Sequence, residues 1–391
     1  MSVLDGNTGS TRGNALLPLG TFTCRSLARL ARDICGFVGR RFDSSSEELR
    51  FHRVCRSFRV AICLTSLLQT QMCSISTQTA AWAFAQIQYR RYNGAVDGRK
   101  KSSPQNIYTA CWDCWDLLIN PRGIGWNWPR GLVIPKRTDE TDSRINFILR
   151  SAAHLSLNAL AFDVCMQTIR ALGPDTFGSL RGGTLFDHSL PPVLELLRSV
   201  LVSALAASSA YFILQCNHQF LVIVFVGLLR QPPSRSPPLF DSPWLSASLG
   251  DLWGRRWHQL LRDIVLSLGG QPFDYLFGRL GGVLGAFLVS GIFHDIELRS
   301  LGRGGRSVAI VGFWVMNGVG VVLERVWKKV TGRSVGGVWG RIWMAGWLLL
   351  WGIPTVDAYA QVGRFAALQL PLGFEPSRAL VVFACRVFSR S

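Results

Sequence analysis

The apolar positions of this chain come in long uncharged runs, not in short alternating segments. Ser199 to Leu229 has no charged residue over 31 positions. About 20 residues cross a bilayer, so the run predicts one long span, or two short spans sharing the Asn217–His218–Gln219 break. Phe147 to Ile169 is largely apolar with Arg150 and Asp163 inside it, and Ser307 to Leu323 and Ile342 to Val356 are shorter uncharged runs. Leu280 to Phe293 has only fourteen uncharged residues and ends at His294, which predicts a helix buried among others. Val60 to Tyr89 is uncharged but rich in Thr, Ser and Gln, so it is only a weak candidate span. A last short apolar patch contains Val381 to Phe383. Together the runs predict an all-α, polytopic membrane protein of roughly six to eight transmembrane or interfacial helices.

Polar punctuation separates the runs. Arg90 to Thr109 is a basic and polar loop, Leu117 to Gly131 is broken by Gly and Pro, and Arg230 to Pro243 is Pro-rich. Residues 1–59 are polar and basic, with no apolar stretch after the start, so a secretory signal is not expected. Leu27, Leu30, Ile34 and Phe37 recur at helical spacing among Arg25, Arg29, Arg32 and Arg40. That pattern fits a basic surface helix or a poorly ordered tail. The chain thus divides into a basic N-terminal region, 1–110, with one weak span, and a membrane domain, 111–391.

Composition supports this picture. Charged residues are 17% of the chain, Trp reaches 14 and Gly 39. That balance suits membrane helices with interfacial aromatics. The net charge of +18 would suggest nucleic acid in a soluble chain. Here the basic residues sit between apolar runs, so anionic lipid headgroups and an acidic cosubstrate are the expected partners. The ten cysteines are scattered. Cys111 and Cys114 have CxxC spacing, but no second pair follows at metal-ligand spacing, so free thiols in a reducing compartment are expected.

Ser248 to Asp263, SLGDLWGRRWHQLLRD, carries the densest chemistry. On a helix, Leu249, Trp253, Trp257, Leu260 and Leu261 would share an apolar side, away from Arg255, Arg256, Arg262 and Asp263. This predicts an interfacial helix with its Trp rings at headgroup level. His294 lies about 35 residues downstream of it, at the end of its apolar run. From the run alone, a packing histidine is the simpler reading.

Five pieces in order change that balance: NPRGIGWNW (Asn120–Trp128), PPLFDSP (Pro237–Pro243), SLGDLWGRRWHQLLR (Ser248–Arg262), LVSGIFHD (Leu288–Asp295) and FWVMNGVGVVLE (Phe313–Glu324). They resemble the membrane-bound O-acyltransferase superfamily, most closely its wax synthase-like branch, which includes fungal acetyltransferases of secondary metabolism. The resemblance covers roughly residues 110–365. It departs from the family pattern in the first 110 residues, which lack strong early spans, and at Asp295, where an apolar residue or Glu is common.

The resemblance implies acyl transfer from an acyl-CoA, with acetyl-CoA the expected cosubstrate and no bound cofactor, to a small hydroxylated lipophilic substrate. The acceptor would be a diterpenoid, sesquiterpenoid or polyketide, and the home the endoplasmic reticulum membrane. An alcohol is a poor nucleophile at neutral pH, so a base must take its proton. His294 matches the family's active-site histidine and is expected to be that base, held neutral by its apolar surroundings. His258 is expected to position substrate or stabilise the developing oxyanion. Arg255 and Arg256 could bind the phosphates of CoA or of lipid. Trp253 and Trp257 are expected to be structural, Gly281, Gly282 and Gly285 to let helices approach, and Glu324 and Asp357 to be solvated at the membrane edge, or functional where one faces a cavity. Long-chain wax ester synthesis and a non-catalytic membrane transporter are the alternatives.

Overall fold

A computed structural model describes residues 106–129, 131–135, 143–300, 305–368, 370 and 375–377, with positions 78, 79, 82, 89–92, 101 and 102. The expectations for residues 1–59, for most of Val60–Tyr89 and for Val381–Phe383 lie outside these. The described residues are predominantly helical. One antiparallel pair of two-residue strands, β1 (Arg91–Tyr92) and β2 (Lys101–Ser102), accompanies six longer helices. These are α1 (Ile107–Ile119), α2 (Arg144–Leu172), α3 (Pro192–Val222), α4 (Gln271–Ser300), α5 (Ser307–Thr331) and α6 (Gly337–Gln361).

Local chemistry sets the helix ends. Asn106 and Thr109 form a reciprocal capping box at α1. Ser143 caps α2, and Gly173 follows its last turn. α3 opens on Pro192, where the missing N–H costs nothing. α5 closes on Gly332 in the left-handed conformation, with Lys328 and Lys329 in its last turn, where cations complement the helix dipole.

The main core lies between α2 and α3. Phe162, Met166, Ile169, Phe177, Leu185 and Val202 are buried there, joined by Ala360 of α6 and by Phe365. Charged side chains around this core are hydrogen-bonded. Arg170 donates to the carbonyls of Phe365 and Leu368, and Asp163 accepts from the backbone and hydroxyl of Ser377. Asp357 is almost fully buried and accepts from Thr184, from the Leu185 amide and from Gln361.

Three helical stretches are long and apolar enough to cross a membrane: Pro192–Leu228, Arg262–Arg299 and Ser307–Thr331. The first answers one open question. No break occurs at Asn217–Gln219, because three residues without Gly or Pro keep the backbone helical, and α3 runs on into a wider π turn, Ile223–Leu228. The second corrects an expectation. Leu280 to Phe293 is not a short buried helix, since Arg279 and the residues after His294 extend it. Arg279 to Ser300 gives about 33 Å of helix at ~1.5 Å per residue, and only 17% of the most apolar window of Arg262–Arg299 is buried.

Arg262–Arg299 is not one straight rod. It runs through a short helix Arg262–Val265 and a π turn Leu266–Gly270, then reverses at Gly278, whose φ of 69° lies in the region that favours glycine. Gly269 then meets Gly285, and Gly270 faces Gly282. A Cβ on Gly269 would overlap the Gly285 carbonyl oxygen, and one on Gly285 would lie 2.6 Å from Phe273 Cβ. The expected close approach at Gly282 and Gly285 is therefore between the two arms of this hairpin. The second arm packs on α5, with Gly291 against Val311 and Gly318 against Phe287.

Candidate active site

The segment Ser248–Arg262 does not form the single interfacial helix its periodicity suggests. Ser248 caps a single turn, Leu249–Asp251, which widens into a π turn, Leu252–Arg256. Trp257 is extended, and its amide bonds the Leu252 carbonyl five residues back. Side-chain bonds hold this shape against the helical alternative. Arg256 Nε donates to Asp251 at 2.6 Å, and its Nη1 to the Asp241 carbonyl at 3.0 Å. Arg255 pairs with the same Asp251 at 2.9 Å. At the other end of the turn, Glu324 of α5 accepts the Leu249 and Gly250 amides at 2.7 and 2.8 Å, and the Trp343 indole at 3.1 Å. Glu324 and Asp357 are thus internal hydrogen-bond acceptors, not solvated acids, because each supplies oxygens to backbone amides that would otherwise be orphaned.

A cavity of about 660 Å³ opens between this segment, both arms of the Gly278 hairpin and α5. His258 and His294 both line it, as do Trp253, Trp257 and Trp314. The rings form a continuous arc. His294 stacks on Trp314, with centroids 4.6 Å apart and planes 2° apart. Trp314 meets Trp253 at 5.1 Å, Trp253 meets Trp257 at 5.9 Å, and Trp257 meets His258 at 5.6 Å. The fully buried Asn317 fixes the middle of the arc by accepting from Trp253 Nε1 at 3.0 Å while donating to the Phe313 carbonyl. Trp253 and Trp257 are therefore cavity walls, not headgroup anchors.

Each histidine keeps one ring nitrogen in reserve. His294 Nε2 and His258 Nδ1 are buried and have no hydrogen-bond partner among the described residues. The other His294 nitrogen, Nδ1, lies 3.7 Å from Glu297, which is paired with Arg364 at 3.3 Å. Glu297 and not Asp295 is therefore the neighbouring carboxylate. Asp295 turns to Arg299 at 2.7 Å. A carboxylate beside Nδ1 favours the tautomer that carries its proton there, leaving the Nε2 lone pair open.

Burial pushes His258 down to about 3, with smaller contributions from the charges of His294 and Arg122. Its ring is neutral at any working pH. Between about pH 6.5 and 3 the unfolded chain takes up a proton that folded His258 refuses, so stability falls as pH drops through that window. Melting temperature measured from pH 7 to 5 is expected to fall less steeply in His258→Gln than in the wild type. Equal slopes would contradict this.

The expected phosphate ligands Arg255 and Arg256 are brought together, but away from the cavity lining and onto Asp251. The cavity's own cations include Arg279, Arg325 and Lys328. No motif pointed to them, since they come from the hairpin tip and from the end of α5. Trp314 and Asn317 were also overlooked, although both lie within FWVMNGVGVVLE. NPRGIGWNW and PPLFDSP prove to be scaffolding. Arg122 donates to the carbonyls of Pro237 and Pro238, both at 2.8 Å. Trp126 donates to Asp116, and Gln259 exchanges two hydrogen bonds with the Val133 backbone.

Comparison with known proteins agrees with this architecture. Residues 236–315 match the model of the membrane bound O-acyl transferase family. The chain is 30% identical over 292 residues to acetyltransferase aurG of Calcarisporium arbuscula, covering 68% of this chain and 69% of that protein. Against acetyltransferase sirH of Emericella nidulans, identity is 28% over 279 residues, 65% of this chain and 59% of the relative. A long-chain-alcohol O-fatty-acyltransferase of Simmondsia chinensis is 36% identical over 106 residues, 25% of this chain and 30% of that protein. With apolar helices long enough to cross a bilayer and a cavity flanked by two histidines, the chain belongs to the membrane bound O-acyl transferase family and is a membrane protein that acts as an acyl-CoA-dependent O-acyltransferase.

Proposed function

We propose that this protein transfers an acetyl group from acetyl-CoA to a hydroxyl of a lipophilic secondary metabolite, a terpenoid or polyketide, in the endoplasmic reticulum membrane. The reading rests on one observation above others: two unpartnered imidazole nitrogens, on His294 and His258, belong to rings lining one cavity. An unpartnered buried polar atom is costly, and its retention at a cavity wall suits a group that finds its partner in the substrate.

His294 Nε2 accepts the proton of the acceptor hydroxyl as its oxygen attacks the thioester carbonyl. The C–O bond forms and the carbonyl oxygen takes negative charge. His258, neutral throughout, can present an N–H to that oxyanion. Collapse breaks the C–S bond, and the CoA thiolate takes the proton held on His294. Ester and free CoA leave, and His294 is neutral again. No acyl-enzyme forms, and Glu297 serves only to hold the ring.

The acetyl donor is favoured by the two relatives aligned over most of this chain, both acetyltransferases by name. The shorter match to a fatty-acyl enzyme supports the competing donor, a long-chain acyl-CoA. Microsomes containing the protein should convert hydroxylated terpenoids or polyketides to acetate esters with acetyl-CoA, and palmitoyl-CoA should compete poorly. Preferred transfer of palmitate to fatty alcohols would sink the acetyl reading in favour of wax ester synthesis.

A further inference from the structure

We infer that Arg279, Arg325 and Lys328 form the clamp for the phosphates of the acyl-CoA donor. The inference rests on the acyl-transfer reading above and assigns the opposite end of the same cavity. All three side chains line it, and none has a carboxylate partner among the described residues. The antiparallel packing of α4 on α5 brings them together. Gly291 sits against Val311 and Trp314, and Gly318 against Phe287, so moving back along α4 to Arg279 moves forward along α5 to Arg325 and Lys328. Two carboxylates line the cavity nearby. Asp274 carries the one uncommitted negative charge, while Glu324 is occupied by the Leu249 and Gly250 amides and Trp343. With Arg262, which also lines the cavity and donates to the Gly254 carbonyl, four cationic side chains face Asp274.

Length decides the ligand. At ~1.5 Å per residue, Arg279 and His294 are separated by about 22 Å of helix, and Trp314 and Lys328 by about 21 Å. In CoA, roughly thirteen bonds join the thiol sulfur to the diphosphate. At the ~1.2 Å per bond of an extended peptide-like chain, that arm spans about 16 Å. Long Arg and Lys side chains close the difference. A thioester at His294 therefore delivers its diphosphate to the three cations. Guanidinium and ammonium groups bind such oxygens by charge-assisted hydrogen bonds.

A lipid headgroup would offer the same phosphate chemistry, so the test uses vesicles of phosphatidylcholine alone. The quantity measured is the preference, in kcat/KM, for acetyl-CoA over the acetyl thioester of N-acetylcysteamine, which lacks every phosphate. Replacing Arg279, Arg325 and Lys328 together with Gln is expected to lower that preference at least about tenfold. Restoring charge with Arg279→Lys and Arg325→Lys, Lys328 unchanged, should return much of it. Lys329→Gln, whose side chain is not in the cavity wall, should leave it unchanged. In the wild type, adenosine 3′,5′-bisphosphate should compete with acetyl-CoA, and this arm needs no variant to fold. An unchanged preference in the triple variant, absence of that competition, or a preference that appears only with anionic lipid would each overturn the assignment. If the wild type transfers acetyl from neither donor to any alcohol, the acyl-transfer reading fails and this inference falls with it. A working wild type with an unmoved preference removes the inference alone.

Discussion

Replacing His294 with alanine is expected to lower acyl transfer by about 10³-fold, within the range for loss of a general base. The ring is packed as well as reactive, since it stacks on Trp314 at 4.6 Å, so activity alone would not separate chemistry from support. Added imidazole separates them. The alanine variant leaves a ring-sized space beside a cavity of about 660 Å³, and free imidazole can enter and accept the proton. Recovery of rate with imidazole, at unchanged KM for acetyl-CoA, marks a proton-transfer role. Loss without recovery, together with a lowered melting temperature, would mark a packing role. Full activity in His294→Ala would dismiss the base assignment.

The second large effect is on stability. Asp357→Ala is expected to destabilise the fold by roughly 2–4 kcal/mol, because it strands buried donors instead of removing both partners. Asp357 Oδ1 accepts from the Leu185 amide at 2.8 Å and from Thr184 Oγ1 at 2.7 Å, and Oδ2 accepts from Gln361 at 2.6 Å. The Thr184 hydroxyl can turn elsewhere, but the Leu185 amide cannot, and Leu185 is nearly inaccessible. Asp357→Asn keeps one carbonyl oxygen for that amide and should cost less. Thermal unfolding in a fixed detergent would check the order Asp357, Asn, Ala. An alanine variant as stable as the wild type would show that Leu185 finds another partner.

The apolar runs were legible because span length is a local property, and α3 and α5 follow directly from theirs. The reversal at Gly278 was not. Gly278 and Gly281 look alike in a sequence, yet one has φ 69° and the other continues a helix. The break in Ser248–Arg262 was hidden for a related reason. Its apolar spacing is helical, but Asp241, distant by sequence, holds Arg256 and so fixes the π turn. The sequence does hold one signal against free guanidiniums: Asp251 stands four residues before Arg255, the spacing of a helical ion pair. His258 and His294 could be named from motifs. The setting of His294 could not, because Trp314 stacks on His294, and Arg364 pairs with the neighbouring Glu297, only through packing. Arg279, Arg325 and Lys328 likewise come together only when α4 and α5 run antiparallel.

Because the chain doubles back at Gly278, Arg262–Arg299 is two arms of unequal length that run in opposite directions. At ~1.5 Å per residue, the arm after Gly278 is long enough for a hydrocarbon core of about 30 Å, and the arm before it is not. A single apolar window in the sequence therefore stands for a backbone that enters with one short arm and continues along a longer one.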